Sequence, residues 1–380
     1  MNGKNQSEER IKNVILVALD GVRLDIMRSF PAFKKISESG MMFSNVITYA
    51  PHSIASFHAI FTGIYGCHNG VNSYFGTQDF KEEKCKTITQ YMKENGFYCF
   101  GDSLNDLIVP KQGFDELKEQ EAFKEFADNH LKIIEKIKEK NKQGEKCFVH
   151  LHCSYAHNDV VEQFIKKFKK NEDAFYENKK QNKEVYKSSL EKVDRYIEMI
   201  TKIFEKEGLF NDSIFIFFSD HGTSIGEKRG ERAYGTFCYD YGLKTFCVFI
   251  GKGIFPIMEV SNMVRSVDII PTILDVLGIV QDKKLMKMDG KSLVAYKEKM
   301  REERVAFAET GGIEGPWPSP KEPNVHAIRT EEWKLIFNRT PGTFELYNIK
   351  DDPNEERNLV EEKKEKYTEL RRILEKYISF

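Results

Sequence analysis

Net charge and long apolar runs are both scarce in this sequence. Its 380 residues contain 58 lysines and arginines against 59 aspartates and glutamates. Because this balance gives no overall electrostatic field, we expect neither nucleic acid nor an anionic membrane surface as a partner. No stretch approaches the roughly 18 uninterrupted apolar residues that a membrane-spanning helix needs, so no such span is predicted.

Paired cysteine motifs and a secretory signal are also missing. The chain has seven cysteines, an odd number, and none of them forms a CxxC pair. Scattered single cysteines favour reduced thiols over a disulfide framework. Residues 1–13 are polar and lack the apolar core of a secretory signal. Together these absences predict a cytoplasmic location.

What the sequence does contain is a set of short apolar runs separated by a helical pattern. VILVAL (14–19) and SIFIFF (213–218) are apolar almost throughout, which is typical of parallel strands buried on both faces. Between them, apolar residues recur every three or four positions and predict an amphipathic helix. They are Tyr186, Leu190, Val193, Ile197, Ile200 and Phe204. Strands alternating with helices predict an α/β fold with a mostly parallel sheet.

Polar residues follow three of the predicted strands. Asp20 comes directly after the first run, Asp220 and His221 come after the second, and CFVHLHCSYAH (147–157) ends at His157. Because the carboxyl ends of parallel strands meet at one edge of a sheet, we expect these side chains to converge. His150 and His152 alternate onto one strand face; we interpret that pair as core or edge histidines and His157 as the better candidate for chemistry.

The segment PHSIASFHAIFTGIYGCHNG (51–70) places Ser53 at the start of a predicted helix. A serine there either caps the first helical turn or sits at an anion-binding helix terminus. If Ser53 lies at the same sheet edge as the acidic residues, two carboxylates, an imidazole and a hydroxyl suit a divalent cation. A cation beside Ser53 would lower the pKa of its hydroxyl and make it a nucleophile.

These segments carry a family likeness. NVILVALDGVRLD (13–25), APHSIASFHAIFTGIYGCHNGV (50–71) and the stretch 193–228 that ends in SDHGTSIGEK resemble the sulfatase branch of the alkaline-phosphatase-like superfamily. RSVDIIPTILDVLG (265–278), MDGKSL (288–293), HAIRTEEWKLI (326–336) and ELYNIKDDPNEERNL (345–359) are similar to its later landmarks, in the same order. The resemblance runs nearly end to end.

The resemblance implies an alkaline-phosphatase-like fold. Its expected architecture is a mostly parallel sheet sandwiched by helices, followed by a small C-terminal antiparallel sheet plus a helix. We accordingly predict a catalytic domain over residues 1–300 and a C-terminal subdomain over residues 301–380. Residues 326–339 and 343–349 are expected to supply strands of the small sheet.

The resemblance also assigns roles to individual residues. Asp20, Ser53, Asp220 and His221 would hold one divalent metal ion (Ca, Mn, Mg or Zn). Ser53 would be the nucleophile and form a covalent ester, and His157 would protonate or orient the leaving oxygen. Lys244 falls on a basic position that would help balance charge, with a surface lysine as the alternative. The expected substrate is a small anionic ester, such as a sulfated or phosphorylated glycan.

The chain departs from the sulfatase pattern at three positions. Phe57 replaces the arginine of the C/S-x-P/A-x-R motif, Gly21 replaces a second metal aspartate, and Tyr234 replaces a lysine or histidine. The motif's first residue is oxidised to formylglycine in hydrolytic sulfatases, and loss of the arginine disfavours that modification at Ser53.

The prediction is therefore a metal-dependent hydrolase of sulfate or phosphate esters. The alternatives are a phosphodiesterase or phosphotransferase with unmodified Ser53, and a non-catalytic protein that binds anions. Two features stay open: whether the Gly/Pro loop 311–324 lines the pocket mouth, and whether His326 is a surface residue or a substrate contact.

Overall fold

The computed structural model describes residues 11–74, 76–121, 126–298, 303–311 and 322–378. Within these ranges, the main sheet (sheet A) has nine strands. They are β1 (Asn13–Leu19), β2 (Met41–Ile47), β3 (Phe97–Ser103), β4 (Glu116–Glu119), β5 (Lys146–Cys153), β6 (Ser213–Phe218), β7 (Lys244–Ile250), β8 (Met258–Val260) and β9 (Val264–Arg265).

Sheet A is mostly parallel, as the sequence predicts. Its strands lie in the order β4-β3-β5-β1-β6-β7-β2-β8, with β9 beside β2. Strands β4 through β6 in this order are all parallel, and β7 alone runs antiparallel to both of its neighbours. The two apolar runs of the sequence, β1 and β6, are therefore central neighbours, and their carboxyl ends share one edge.

Helices cover both faces of sheet A. They are α1 (Leu24–Met27), α2 (Pro31–Ser37), α3 (Ser53–Thr62), α4 (Gly66–Asn69), α5 (Ile88–Glu94), α6 (Phe126–Lys142), α7 (Tyr155–Val160), α8 (Glu172–Glu177), α9 (Lys179–Lys206), α10 (Asp240–Leu243), α11 (Ile269–Val276) and α12 (Lys364–Leu374). A π-helical turn, Val161–Lys166, follows α7. No helix within the described ranges is both long and apolar enough to cross a membrane.

Strand β1 shows why an unbroken apolar run is needed at the centre of the sheet. Its even-numbered residues (Val14, Leu16, Ala18) join a core with α3, α5 and α11, and its odd-numbered residues (Ile15, Val17, Leu19) join a second core with α1, α2, α6 and α9. All six side chains are fully buried. The predicted amphipathic helix is α9, and its six apolar residues all lie in the second core.

A second sheet (sheet B) occupies the C-terminal part of the chain. It is antiparallel, with strands β10 (Ala306–Thr310), β11 (Val325–Arg329), β12 (Trp333–Asn338) and β13 (Thr343–Asn348) in sequence order. Helix α12 packs on β11 and β12. The predicted small sheet plus helix is thus confirmed, with β10 as an additional strand. A domain boundary at residue 300 stays a prediction.

A buried ion cluster joins sheet B to the main lobe. Lys334 on β12 is fully buried, and its Nζ lies 2.8 Å from Asp240 Oδ1 and 2.8 Å from Glu355 Oε1. Arg329 also pairs with Asp240, at 3.3 Å. Asp240 begins α10, directly before β7 of sheet A. Lys334 is therefore the cation that the two buried carboxylates share, and Arg329 supplies a second one to Asp240.

Replacing Lys334 by methionine is expected to destabilise the protein by about 3 kcal/mol or more, because it leaves buried carboxylates without their cation. Urea unfolding of the variant and the wild type measures the loss. Lys350→Met is the control, since Lys350 pairs with Glu332 at an exposed site, where an ion pair contributes under about 1 kcal/mol. Equal losses in both variants would contradict the structural role of Lys334.

Candidate metal centre and nucleophile

The carboxyl edge of sheet A gathers the acidic residues and the serine that the sequence singles out. Ser53 Oγ lies 3.4 Å from Asp20 Oδ2 and 3.1 Å from His221 Nε2. His221 Nε2 is 3.6 Å from both Asp20 Oδ1 and Asp220 Oδ2. These four residues come from three segments that are far apart in the chain, and all four are buried. The predicted convergence is present.

Hydrogen bonds fix the Asp220–His221 pair. Asp220 Oδ1 accepts from the Gly21 amide at 3.1 Å, and Ser56 Oγ donates to the Asp220 carbonyl at 2.7 Å. His221 Nδ1 lies 2.7 Å from the Gly222 carbonyl. Because a carbonyl only accepts, Nδ1 carries the hydrogen, and Nε2 of the neutral ring has a lone pair that can accept from the Ser53 hydroxyl or bind a metal. That lone pair belongs to the atom nearest Ser53, which makes Nε2 available as a metal ligand.

Two carboxylate oxygens at this point lack any hydrogen bond. They are Asp20 Oδ1 and Asp220 Oδ2, both buried. These two residues and His221 each offer one ligand atom, and the three atoms lie within 4.8 Å of one another. Buried, unpaired carboxylate oxygens are costly unless something compensates their charge. The donor set of two carboxylates and one imidazole therefore fits a divalent cation.

The pKa values of the two carboxylates are shifted in opposite directions. Burial and the nearby Asp20 charge raise the pKa of Asp220. Burial alone would raise the pKa of Asp20 too, but the imidazoles of His157 and His152 outweigh burial and lower it well below its usual range. Environments that separate the pKa values of two neighbouring acids are typical of functional sites.

Ser53 does not act as a helix cap. It is the first residue of α3, and the N-cap position belongs to His52, whose side chain makes no capping bond. The interpretation of Ser53 as a mere cap is therefore wrong, since its hydroxyl lies against Asp20 and His221 instead. The start of a ten-residue helix also presents unpaired amide groups to this edge of the sheet.

His157 joins the same group from α7. Its Nδ1 lies 3.4 Å from Asp20 Oδ1. Burial works to lower the pKa of His157, but the attraction of Asp20 and Asp220 is larger and raises it. The ring of Tyr234 stands beside it, with centroids 5.5 Å from His157 and 5.0 Å from His221. Tyr234 also lines a cavity of 90 Å³ together with Tyr74, Ile165, Arg232, Ala233, Gly235 and Thr236.

Two further histidines belong to the site although sequence reasoning did not assign them there. His152 is completely buried, which agrees with its interpretation as a core histidine, but its Nε2 also lies 2.9 Å from Asp20 Oδ2. His52 is fully buried with both ring nitrogens unpartnered, and burial lowers its pKa to about 3. The sequence feature that points to His52 is its position immediately before Ser53.

Lys244 is not brought to this group. It is the first residue of β7, at the correct edge of the sheet, but its side chain is exposed. It lines a groove of 730 Å³ that also includes Arg23 and Glu227. No hydrogen bond or ion pair links it to Ser53 or Asp20 within the described ranges. We therefore leave Lys244 out of the proposed catalytic group.

The structure shows where His326 lies but does not describe most of the Gly/Pro loop before it. His326 is buried in sheet B, and its Nδ1 lies 2.9 Å from Glu309 Oε2, so it is not an ordinary surface residue. Residues 312–321 of the loop predicted to line the pocket mouth lie outside the described residues.

The departures from the sulfatase pattern have local structural reasons. Gly21 has φ +69, and a Cβ there would lie 3.1 Å from Thr223 Oγ1, so an aspartate at this position would be strained. Phe57 is fully buried and packs its ring against His152, His150 and Phe218, with centroids 5.2, 5.6 and 6.0 Å away. Position 57 therefore contributes an apolar contact to the site.

Comparison with known proteins agrees with this geometry. The Sulfatase family model matches residues 12–279, and the model for the C-terminal region of N-sulphoglucosamine sulphohydrolase matches residues 235–379. Arylsulfatase K of Homo sapiens is 28% identical over 221 residues, 56% of this chain. The aligned stretch covers 38% of that human protein, and 28% of arylsulfatase K of Bos taurus.

Two solved structures have the same fold over nearly their whole length. One holds its substrate D-glucosamine-2-N,6-O-disulfate; it superposes with a TM-score of 0.73 at 18% identity and covers 96% of this chain and 97% of that chain. The other is the phosphonate monoester hydrolase of Agrobacterium radiobacter, with a TM-score of 0.72 at 17% identity and coverage of 97% and 96%. The family match extends over more than half of the chain, and the protein belongs to the sulfatase family.

Proposed function

We propose that the protein hydrolyses sulfate or phosphate-type esters, using Ser53 as its nucleophile and one divalent cation held by Asp20, Asp220, His221 and Ser53. The observation that carries this proposal is the placement of Ser53 Oγ within 3.4 Å of Asp20 Oδ2 and 3.1 Å of His221 Nε2. When bound, the cation supplies Lewis-acid stabilisation of the charge that develops on the ester oxygens and on the nucleophile.

The proposed reaction makes and then breaks one covalent bond at Ser53. Beside a bound cation the Ser53 hydroxyl would lose its proton to solvent; its oxygen attacks sulfur or phosphorus, and the bond to the leaving alcohol breaks. His157 gives a proton to the leaving oxygen, a role that fits its raised pKa beside Asp20. Water then attacks the sulfur or phosphorus of the covalent ester, gives a proton back to His157 and displaces the Ser53 oxygen, which restores the enzyme.

Charge balance favours a monoanionic ester. A divalent cation neutralises the two carboxylates of Asp20 and Asp220, which leaves the proton on His157 as the surplus positive charge of this group. A sulfate ester, phosphonate monoester or phosphodiester brings one negative charge to this centre, whereas a phosphate monoester brings up to two. Because an uncompensated buried charge is expensive, we expect the monoanionic esters to be the better substrates.

The environment of position 53 favours an unmodified serine. Phe57, one helical turn away, places an aromatic ring against His152 where the sulfatase motif has an arginine. We therefore infer phosphoester or sulfate ester cleavage by the serine hydroxyl itself, with formylglycine as the alternative. A sulfated or phosphorylated glycan remains the proposed substrate type, supported by the glucosamine disulfate bound to one structural relative.

A substrate panel tests the proposed function. We expect the purified protein, supplied with Mn²⁺, Ca²⁺, Mg²⁺ or Zn²⁺, to cleave 4-nitrophenyl sulfate, bis(4-nitrophenyl) phosphate or 4-nitrophenyl phenylphosphonate faster than 4-nitrophenyl phosphate. Loss of activity in EDTA and its return on adding metal would support metal dependence. A protein that binds metal but cleaves none of these esters would instead favour the non-catalytic, anion-binding alternative.

Mass spectrometry of the peptide that contains residue 53 separates the two forms of the nucleophile. Protein made in its native host is the appropriate sample. We expect the mass of unmodified serine, or of serine carrying a phosphoryl or sulfuryl group after reaction with substrate. A loss of two hydrogens would indicate formylglycine and would overturn the inference of an unmodified serine.

A further inference from the structure

One wholly buried histidine contacts Asp20 from inside the sheet. His152 lies on β5, paired with Ala18 of the neighbouring strand β1, close to the point where Asp20 leaves that strand. Its Nε2 is 2.9 Å from Asp20 Oδ2, and its Nδ1 is 3.3 Å from the Leu104 amide nitrogen. The side chains of His152 and Asp20 are both completely buried.

The direction of these two hydrogen bonds follows from their chemistry. The Leu104 amide can only donate, so His152 Nδ1 accepts and the hydrogen of the neutral ring resides on Nε2. Nε2–H therefore donates to Asp20 Oδ2. This leaves Asp20 Oδ1 as the oxygen without a hydrogen bond, 3.6 Å from His221 Nε2.

The packing around His152 allows its ring little freedom. Its face lies against the ring of Phe57, with centroids 5.2 Å apart, and its main-chain amide donates to Asp102 Oδ1 at 3.0 Å. Asp102 is itself held by His130 Nε2 at 2.8 Å and by Gln120 Nε2 at 2.8 Å. His152, the hydrogen-bond donor to Asp20, is thus held in place at both its backbone and its ring.

We propose that His152 is a positioning residue, whose Nε2–H holds Asp20 Oδ2 so that Oδ1 is presented to the cation. This inference rests on the metal site of the proposed function. Partners that orient a metal ligand in this way raise metal affinity about 10- to 100-fold. The side-chain hydrogen bonds of His152 go to Asp20 and Leu104 and not to Ser53, so its contribution is to the geometry and affinity of the site.

His150 provides a matched control. It lies on the same face of β5, is equally buried, and also packs on Phe57, with centroids 5.6 Å apart. Its Nδ1 lies 2.8 Å from the Asp102 carbonyl, and it makes no hydrogen bond to Asp20. Removing either imidazole takes away a similar buried ring, but only the loss of His152 removes the 2.9 Å hydrogen bond to Asp20 Oδ2.

The experiment measures Mn²⁺ binding by equilibrium dialysis for the full-length wild type and the variants His152→Leu, His152→Gln and His150→Leu. We expect His152→Leu to bind Mn²⁺ about 10- to 100-fold more weakly. His152→Gln should recover most of the affinity, because its amide can donate from near the former Nε2 position. His150→Leu should bind Mn²⁺ like the wild type, with circular dichroism confirming that each variant is folded.

The outcomes separate this inference from the proposal on which it rests. Wild-type affinity in His152→Leu, or equal weakening in both leucine variants, would overturn the role of His152 while leaving the metal site intact. Absence of Mn²⁺ binding by the wild type would overturn the metal site and this inference together. If His152→Leu does not fold, His152→Asn replaces it, since its shorter amide cannot reach Asp20. Equal affinity of the Asn and Gln variants would then overturn the role of His152.

Discussion

Replacing Ser53 by alanine is expected to reduce turnover of every ester that the wild type cleaves by at least about a thousandfold. The Ser53 hydroxyl lies between Asp20 and His221, and the nearest other serine of the same helix, Ser56, already donates to the Asp220 carbonyl. Ser56 is therefore not placed to substitute for it. Initial rates with the aryl sulfate and aryl phosphodiester probes measure the loss.

The same variant should keep its fold and its cation, because Asp20, Asp220 and His221 remain. Mn²⁺ binding and urea unfolding of Ser53→Ala test this separately from turnover. Ser189→Ala is the control for loss of a buried serine: Ser189 lies on α9 and donates to the Val185 carbonyl. Turnover by Ser53→Ala within tenfold of the wild type would exclude Ser53 as the nucleophile.

The parts of the site that follow strand ends were predictable from the sequence. The runs that form β1 and β6 are apolar on both faces, which identifies them as central strands, and the first acidic residue after each run lies at the shared edge. That reasoning correctly brought Asp20, Asp220 and His221 together with Ser53. This prediction needed only two features, strands that are buried on both faces and strands that run parallel. Both follow from the apolar runs and the helical segments between them.

The position of a side chain could not be predicted in the same way where it depends on burial depth or on which face of a strand it occupies. Period-two spacing put His150 and His152 on one face of β5, but it carries no information on which of them lies beside Asp20. Lys244 is at the correct edge, yet it is the one exposed residue of β7, and residues 245–250 are all buried. Strand β10 has no clear pattern because all five of its residues are buried, including Glu309.

Replacing Asp220 by asparagine is expected to make the protein more stable than the wild type without metal and less stable than the wild type with metal. Without metal, Asp220 Oδ2 is buried with no hydrogen bond, and burial and Asp20 raise the pKa of Asp220. A raised pKa means that the carboxyl contributes fully to stability only below its unfolded pKa, and that this contribution is lost as pH rises through the folded value. At neutral pH the wild type bears the cost of the charge, so the metal-free variant should be more stable than the wild type.

With Mn²⁺ the order should invert. At a concentration 100 times its dissociation constant, a cation that binds only the folded protein stabilises it by about 2.7 kcal/mol. The variant lacks one charged ligand and should bind more than about a hundredfold more weakly, since even second-shell partners cost 10- to 100-fold. Urea unfolding in EDTA and in Mn²⁺ measures both effects.

Asp240→Asn supplies the contrast for this prediction. Asp240 is equally buried, but it is paired with Lys334 and Arg329, which lower its pKa against the effect of burial. Loss of its charge should destabilise the protein to the same extent with and without Mn²⁺. If Asp220→Asn behaved like Asp240→Asn, the unpaired oxygen of Asp220 would have no connection to a cation. Ser53 would then lie beside two carboxylates with nothing to activate it, and the proposed chemistry would lose its physical basis.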